Sequence, residues 1–220
     1  MRIVDLTQKI QAGMPVYPGD PDVQLELARS HGKDICQTTA IKMGSHVGTH
    51  IDAPRHFYED KSSLTDLPLD IFVGDAICIR ARLSHPQGPG TRAVLDLSTV
   101  ERRTIKQNDR VILSTGWEEK AGTDAYYDQY PIFSAELVTF LLSMDIRLLG
   151  VDMPTIEAVD TVGDPFAMHR ILLSRGIVPV EGLVHLPEII GQRFFFSAAP
   201  LPFENGDGSP VRAYAMIEEE

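Results

Sequence analysis

A strand-dominated α/β fold is predicted by eight short β-rich segments spread over 220 residues, by three helical stretches interspersed among them, and by proline- and glycine-rich pieces that punctuate the chain. In chain order, residues 1–6 alternate polar with apolar side chains, the period of a half-buried strand. Residues 14–21, Met-Pro-Val-Tyr-Pro-Gly-Asp-Pro, read as a long loop. Strands are predicted over 23–27 and 75–82, separated from the next by a second loop at 84–90. Ser98 is read as the N-cap of a first helix. A strand over 110–114 follows, and Ser134 opens a second helix with Leu137, Phe140, Leu141 and Met144 on one face. After a strand over 146–152, Asp164 and Pro165 form the N-cap and first position of a third helix that ends before Gly176. On it Phe166, His169, Leu172 and Leu173 share a face. Strands over 177–181, 193–198 and 211–217 complete the chain.

At this length a single domain spanning residues 1–220 is expected. The strand and helix alternation is too irregular for a barrel of eight βα units. No glycine-rich loop of the dinucleotide or nucleoside-triphosphate kind follows a strand, so those cofactors are not expected. A net charge of −11 argues against nucleic acid, whose binding draws on clustered Lys and Arg. Residues 1–6 lack the apolar core of a signal peptide, and no run approaches the roughly 18 apolar residues of a membrane span. The two cysteines, Cys36 and Cys78, cannot build a disulfide framework and read as small buried hydrophobes, which suits the cytoplasm.

Chemistry concentrates in Ser45-His46-Val47-Gly48-Thr49-His50-Ile51-Asp52-Ala53-Pro54-Arg55-His56-Phe57, which holds three of the seven histidines. As a helix the segment would put His46 and His50 on one face, but Gly48 and three β-branched residues weaken that geometry. As an extended segment it would put His50 and Asp52 on one side. Either way at least two ligands meet. Imidazole and carboxylate without thiolate suit zinc or manganese at a catalytic site with an open position. Two distant residues fit the same centre. His169 lies on an apolar helix face, and Glu181 ends the apolar run of 177–180, where an unpaired carboxylate would be costly.

The pattern His46-x-Gly48-Thr49-His50-x-Asp52-x-Pro54-x-His56-Phe57 resembles the signature of the cyclase family of metal-dependent hydrolases, which includes bacterial kynurenine formamidases and isatin hydrolases. Tyr17-Pro18-Gly19-Asp20, residues 149–154, the spacing of His169 and Glu181, Ala199-Pro200-Leu201 and residues 208–213 extend the resemblance over nearly the whole chain. It implies a swivelling β/β/α fold with a barrel-like central sheet, a homo-oligomer, and one or two zinc or manganese ions. By position it makes His46, His50, Asp52, His169 and Glu181 the ligands, with Asp52 able to bridge, and His56 the acid/base. The formamidases carry Trp at the place of Tyr17 and a second His at the place of Arg170; the isatin hydrolases carry Gln at the place of Glu181.

The expected reaction is therefore attack of metal-activated water on a small amide. His56, beyond the Pro54 turn, would serve the leaving nitrogen. The expected substrate is a small molecule, an N-formyl aryl amine such as N-formylkynurenine or a cyclic amide such as isatin. Tyr17 and Trp117 are candidate substrate contacts, Trp117 being either an aromatic wall or a core anchor. A metal-binding module without chemistry is the rival reading. A serine triad is not supported, because no Gly-x-Ser-x-Gly elbow is present.

Overall fold

In the computed structural model, residues 1–85, 92–157, 164 and 166–218 are described. The first half of the chain supplies β1 (Arg2–Asp5), β2 (Gln24–Arg29), β3 (Thr38–Lys42), β4 (His50–Asp52), β5 (Val73–Ser84), β6 (Val94–Val100) and β7 (Arg110–Ser114). The second half adds β8 (Ile132–Phe133), α1 (Ala135–Ser143), β9 (Leu148–Val151), α2 (Ala167–Ser174), β10 (Val178–Glu181), β11 (Arg193–Ser197), β12 (Gly208–Pro210) and β13 (Tyr214–Ile217).

Eleven of these strands form one curled, barrel-like sheet in the order β1-β13-β11-β5-β7-β9-β10-β4-β12, with β6 joined to β5 and β8. Its centre, β5-β7-β9-β10, is parallel, and both flanks are antiparallel. Parallel strands covered on both faces carry near-continuous apolar sequence, and these do. Alternate residues point to opposite cores: Ile77, Ile79, Val111, Leu113, Leu149 and Val151 face α1 and α2, whereas Ala76, Cys78, Ile112, Leu148 and Val180 face the opposite side. Helix α1 starts where the Leu137 N–H donates to the Ser134 hydroxyl at 3.2 Å, and it buries Leu137, Val138 and Leu141.

Several expectations are corrected. Ser98 caps no helix; it lies in β6, and its backbone N–H donates to the Asp96 carboxylate at 2.8 Å. The β-branched and aliphatic run of 94–100 finds ladder partners on β5 and β8, and pairing decides over the local cap signal. Helix α2 spans Ala167–Ser174, with the Phe166 N–H donating to Asp164 Oδ1 at 3.0 Å; the expected first helical position, Pro165, lies outside the described residues, as do 86–91 of the second loop and the terminal Glu219 and Glu220. Cys78 is buried as expected, but Cys36 is exposed. It sits in the turn of the β2–β3 ribbon, a separate two-stranded sheet. No helix among the described residues is long and apolar enough to cross a membrane.

Candidate active site

The site lies where β4 is inserted between β10 and β12. Register sets His50 opposite Glu181 on one side, and Asp52 opposite Gly208 on the other. The segment is extended, so His50 and Asp52 face together while Ile51 points into the core. Close approach of the backbone behind these residues depends on two glycines with left-handed φ, Gly48 at 61° and Gly182 at 69°. A Cβ on Gly182 would collide with the Gly48 carbonyl oxygen. Thr49 locks the junction: its hydroxyl donates to Gly182 O at 2.6 Å and accepts from the Gln8 N–H at 2.8 Å.

The His50 Nδ1–H donates to Gly48 O at 3.0 Å. A carbonyl can only accept, so Nδ1 carries a proton and Nε2 is the ring nitrogen turned toward the carboxylates. That nitrogen lies 3.3 Å from Glu181 Oε2 and 3.6 Å from Asp52 Oδ1. From the other side α2 brings His169, with Nε2 3.1 Å from Glu181 Oε1 and 3.7 Å from Asp52 Oδ2. Each carboxylate thus offers one oxygen to each histidine. Glu181 Oε1 also accepts the Ile156 N–H at 2.9 Å. His46 completes the floor, its Nδ1 2.8 Å from Asp52 Oδ1.

Electrostatics tie these groups together. Burial pulls the His46 imidazolium down, but the Asp52 charge and the hydrogen bonds of Asp207 and Asp52 outweigh it and push its pKa up to about 10. Burial alone would raise Asp52; His46, with His50 and His169, holds it below the usual carboxylate range. Burial and the nearby Asp52 charge oppose ionisation of Glu181, yet the hydrogen bonds of His169 and His50 keep it low. Two ionised carboxylates buried to within 2% and 3% of full enclosure require compensating positive charge. The donors of His50, Asp52 and Glu181 lie within 4.8 Å of one another, and all are nitrogen or oxygen. This donor set suits a divalent metal ion.

Above the floor opens a cavity of about 390 Å³. Its walls include Tyr17, Phe57, Tyr126, Tyr127 and Phe166, and Asp20 faces it from the loop of residues 15–20. Tyr127 holds that loop, with its hydroxyl donating to Pro15 O at 3.2 Å and its ring edge-on to Tyr17 at 6.4 Å. His56 stands on a single 3-10 turn, Pro54–His56, with its ring 3.9 Å from that of His46 and its side chain 30% exposed at the cavity.

Seven of the eight candidate residues therefore meet at one cavity. Trp117 does not. It is a core anchor, its indole N–H donating to Tyr126 O at 2.9 Å and its ring packed in the cluster under α1. The aromatic wall is built by Tyr17 with Tyr126, Tyr127, Phe57 and Phe166, and sequence reading assigned none of the last four to the substrate. It also left out Asp207, which sits against His46 and His56 with only a glycine-rich context to mark it.

Similarity searches agree with this geometry. Residues 4–158 match the family described as "Putative cyclase". The chain is 31% identical over 215 residues to a kynurenine formamidase of Geobacillus thermodenitrificans, covering 96% of this chain and 95% of that protein. Among solved structures, isatin hydrolase A from Labrenzia aggregata, bound to benzyl benzoate, superposes with a TM-score of 0.85 at 26% identity over 99% of this chain and 94% of that one. A structure titled as a potential metal-dependent hydrolase with cyclase activity superposes with a TM-score of 0.78 at 25% identity, covering 100% of this chain and 99% of that one. Motif, fold and full-length similarity converge, and the chain belongs to the cyclase family of hydrolases.

Proposed function

We propose that this chain is a metal-dependent amidohydrolase that cleaves the C–N bond of a small aryl formamide of the N-formylkynurenine type. The observation that carries this reading is the convergence of His46, His50, Asp52, His169 and Glu181 on the floor of an aromatic cavity whose rim holds His56. Relatives named kynurenine formamidase support the substrate class.

When bound, zinc or manganese supplies Lewis acidity, which lowers the pKa of water toward neutrality and polarises a carbonyl. The protein does the rest. The Gly48 carbonyl fixes the ring of His50, and Asp52 and Glu181 present an oxygen to each side of the floor. Tyr127 and Phe57 offer ring faces and edges to the aryl group and exclude water around it. As water adds to the formyl carbon, His56 accepts its proton and delivers one to the departing nitrogen, giving formate and the free aryl amine.

The test is turnover of N-formylkynurenine and of isatin by chelator-stripped protein, before and after zinc or manganese is restored. Formamide cleavage regained with the metal is the expected result. Isatin opening in its place would move the assignment to cyclic amides, which the isatin hydrolase neighbour favours. Stoichiometric metal binding with neither substrate turned over would leave a binding module.

A further inference from the structure

Asp207 is absent from the ligand set and from the mechanism above, yet its position is closely determined. The Ala53 N–H donates to Asp207 O at 2.8 Å, so the residue continues the β4–β12 ladder one step beyond the Asp52–Gly208 pair. Its two oxygens are divided. Oδ1 accepts the Ser45 hydroxyl at 3.1 Å. Oδ2 lies 3.1 Å from His46 Nε2 and 3.6 Å from His56 Nδ1. Next to it, Gly208 forms the seat of the His46 ring: a Cβ there would come within 2.9 Å of Nε2 and 3.0 Å of Nδ1.

A carboxylate accepts and a ligating imidazole must keep one lone pair, so a partner on one ring nitrogen selects the other as donor. From these contacts we infer that Asp207 is a positioning residue for two histidines at once: it holds the Nε2–H of His46, which leaves Nδ1 as the donor beside Asp52, and it turns the His56 ring so that Nε2 faces the cavity. Imidazole geometry completes the second half. The two ring nitrogens point in divergent directions, and with Nδ1 of His56 toward Asp207 the opposite edge looks to the open side where His56 lines the cavity. Stacking of the His46 and His56 rings at 3.9 Å makes the two orientations interdependent. One carboxylate from the last part of the chain would thus set both the floor and the rim.

This inference rests on the metal centre proposed above, and the experiment separates the two. Long-range proton–nitrogen NMR of the imidazoles in zinc-loaded wild-type protein should show His46 with a proton on Nε2 and metal on Nδ1; metal on Nε2 overturns the inference while leaving the centre intact, and a wild-type chain that binds no zinc overturns both. Asp207→Asn provides the second measurement. Competition with a chromophoric chelator should show zinc affinity lower by about 10- to 100-fold, the range for loss of a partner behind a ligating histidine. At saturating zinc its kcat should fall with KM unchanged, and Asp207→Glu should recover part of it. Wild-type zinc affinity and kcat in Asp207→Asn overturn the inference.

Discussion

Asp152 is fully buried where β9 ends, and replacing it by asparagine should make the protein more stable in a way that grows with pH. Its Oδ2 accepts the N–H groups of Thr115 and Gly116 at 2.9 and 2.8 Å, and its Oδ1 accepts the Thr115 hydroxyl at 2.6 Å. Burial exceeds these three hydrogen bonds, and the carboxyl is pushed up from 3.8 to about 6. A carboxyl with a raised folded pKa binds more protons folded than unfolded, so its contribution is fully present below 3.8 and is lost as pH rises through about 6. At about 1.4 kcal/mol per unit, the accumulated penalty is about 2 kcal/mol at pH 5 and about 3 kcal/mol at pH 7.5. Asparagine can keep the arrangement, its carbonyl receiving both N–H groups and its amide meeting the Thr115 oxygen, and it does not titrate. The stability difference between Asp152→Asn and wild type should therefore widen by about 1 kcal/mol from pH 5 to pH 7.5. Urea denaturation of both chelator-stripped proteins at the two pH values measures it, with every shared titration cancelling. A difference that stays flat, or narrows with rising pH, refutes the reasoning.

Three further substitutions separate chemistry from packing. His56→Ala should lower kcat by about 10²- to 10⁴-fold, the usual contribution of a positioned acid/base, with metal content unchanged by elemental analysis; unaltered turnover at full metal content removes His56 from the proton path. Trp117→Ala should cost about 3–5 kcal/mol in denaturant unfolding, as expected for a large buried aromatic, whereas Trp117→Phe should keep the wild-type KM, because the indole lies in the core. A KM for Trp117→Phe raised tenfold would return the residue to the substrate wall.

The site was legible in the sequence where its logic is local or where a residue contradicts its surroundings. His46, His50, Asp52 and His56 lie close together, and a strand from His50 to Asp52 needs only the period of two. His169 and Glu181 stood out because a polar group on an apolar face must be paired. Asp207 gave no such sign, since aspartate beside glycine is ordinary turn composition until the ladder places it against two histidines. The parallel centre of the sheet was readable as apolar runs, but β6 was not. Ser98 and Asp96 hydrogen-bond locally in the manner of a cap, and only pairing with β5 and β8 decides for a strand. Trp117 was ambiguous for a similar reason, since an aromatic ring serves a core or a cavity wall equally well until its neighbours are known.

The contact between Gly48 and Gly182 has a bearing on how the molecule comes into being. Thr49 and Gly182 are 133 residues apart, and His46 and Asp207 are 161 apart, so β4 reaches its place only when distant parts of the chain close on it from both sides. Closures of that length come late, after local helices and neighbouring strands have formed. During synthesis the chain therefore emerges with its histidine-rich segment unable to hold an ion in finished geometry until β10 has docked, and without its last partner until residue 207 has left the ribosome. With the metal centre proposed above, ion capture in that geometry would report a completed fold, and the ion would fasten the first quarter of the protein to its last.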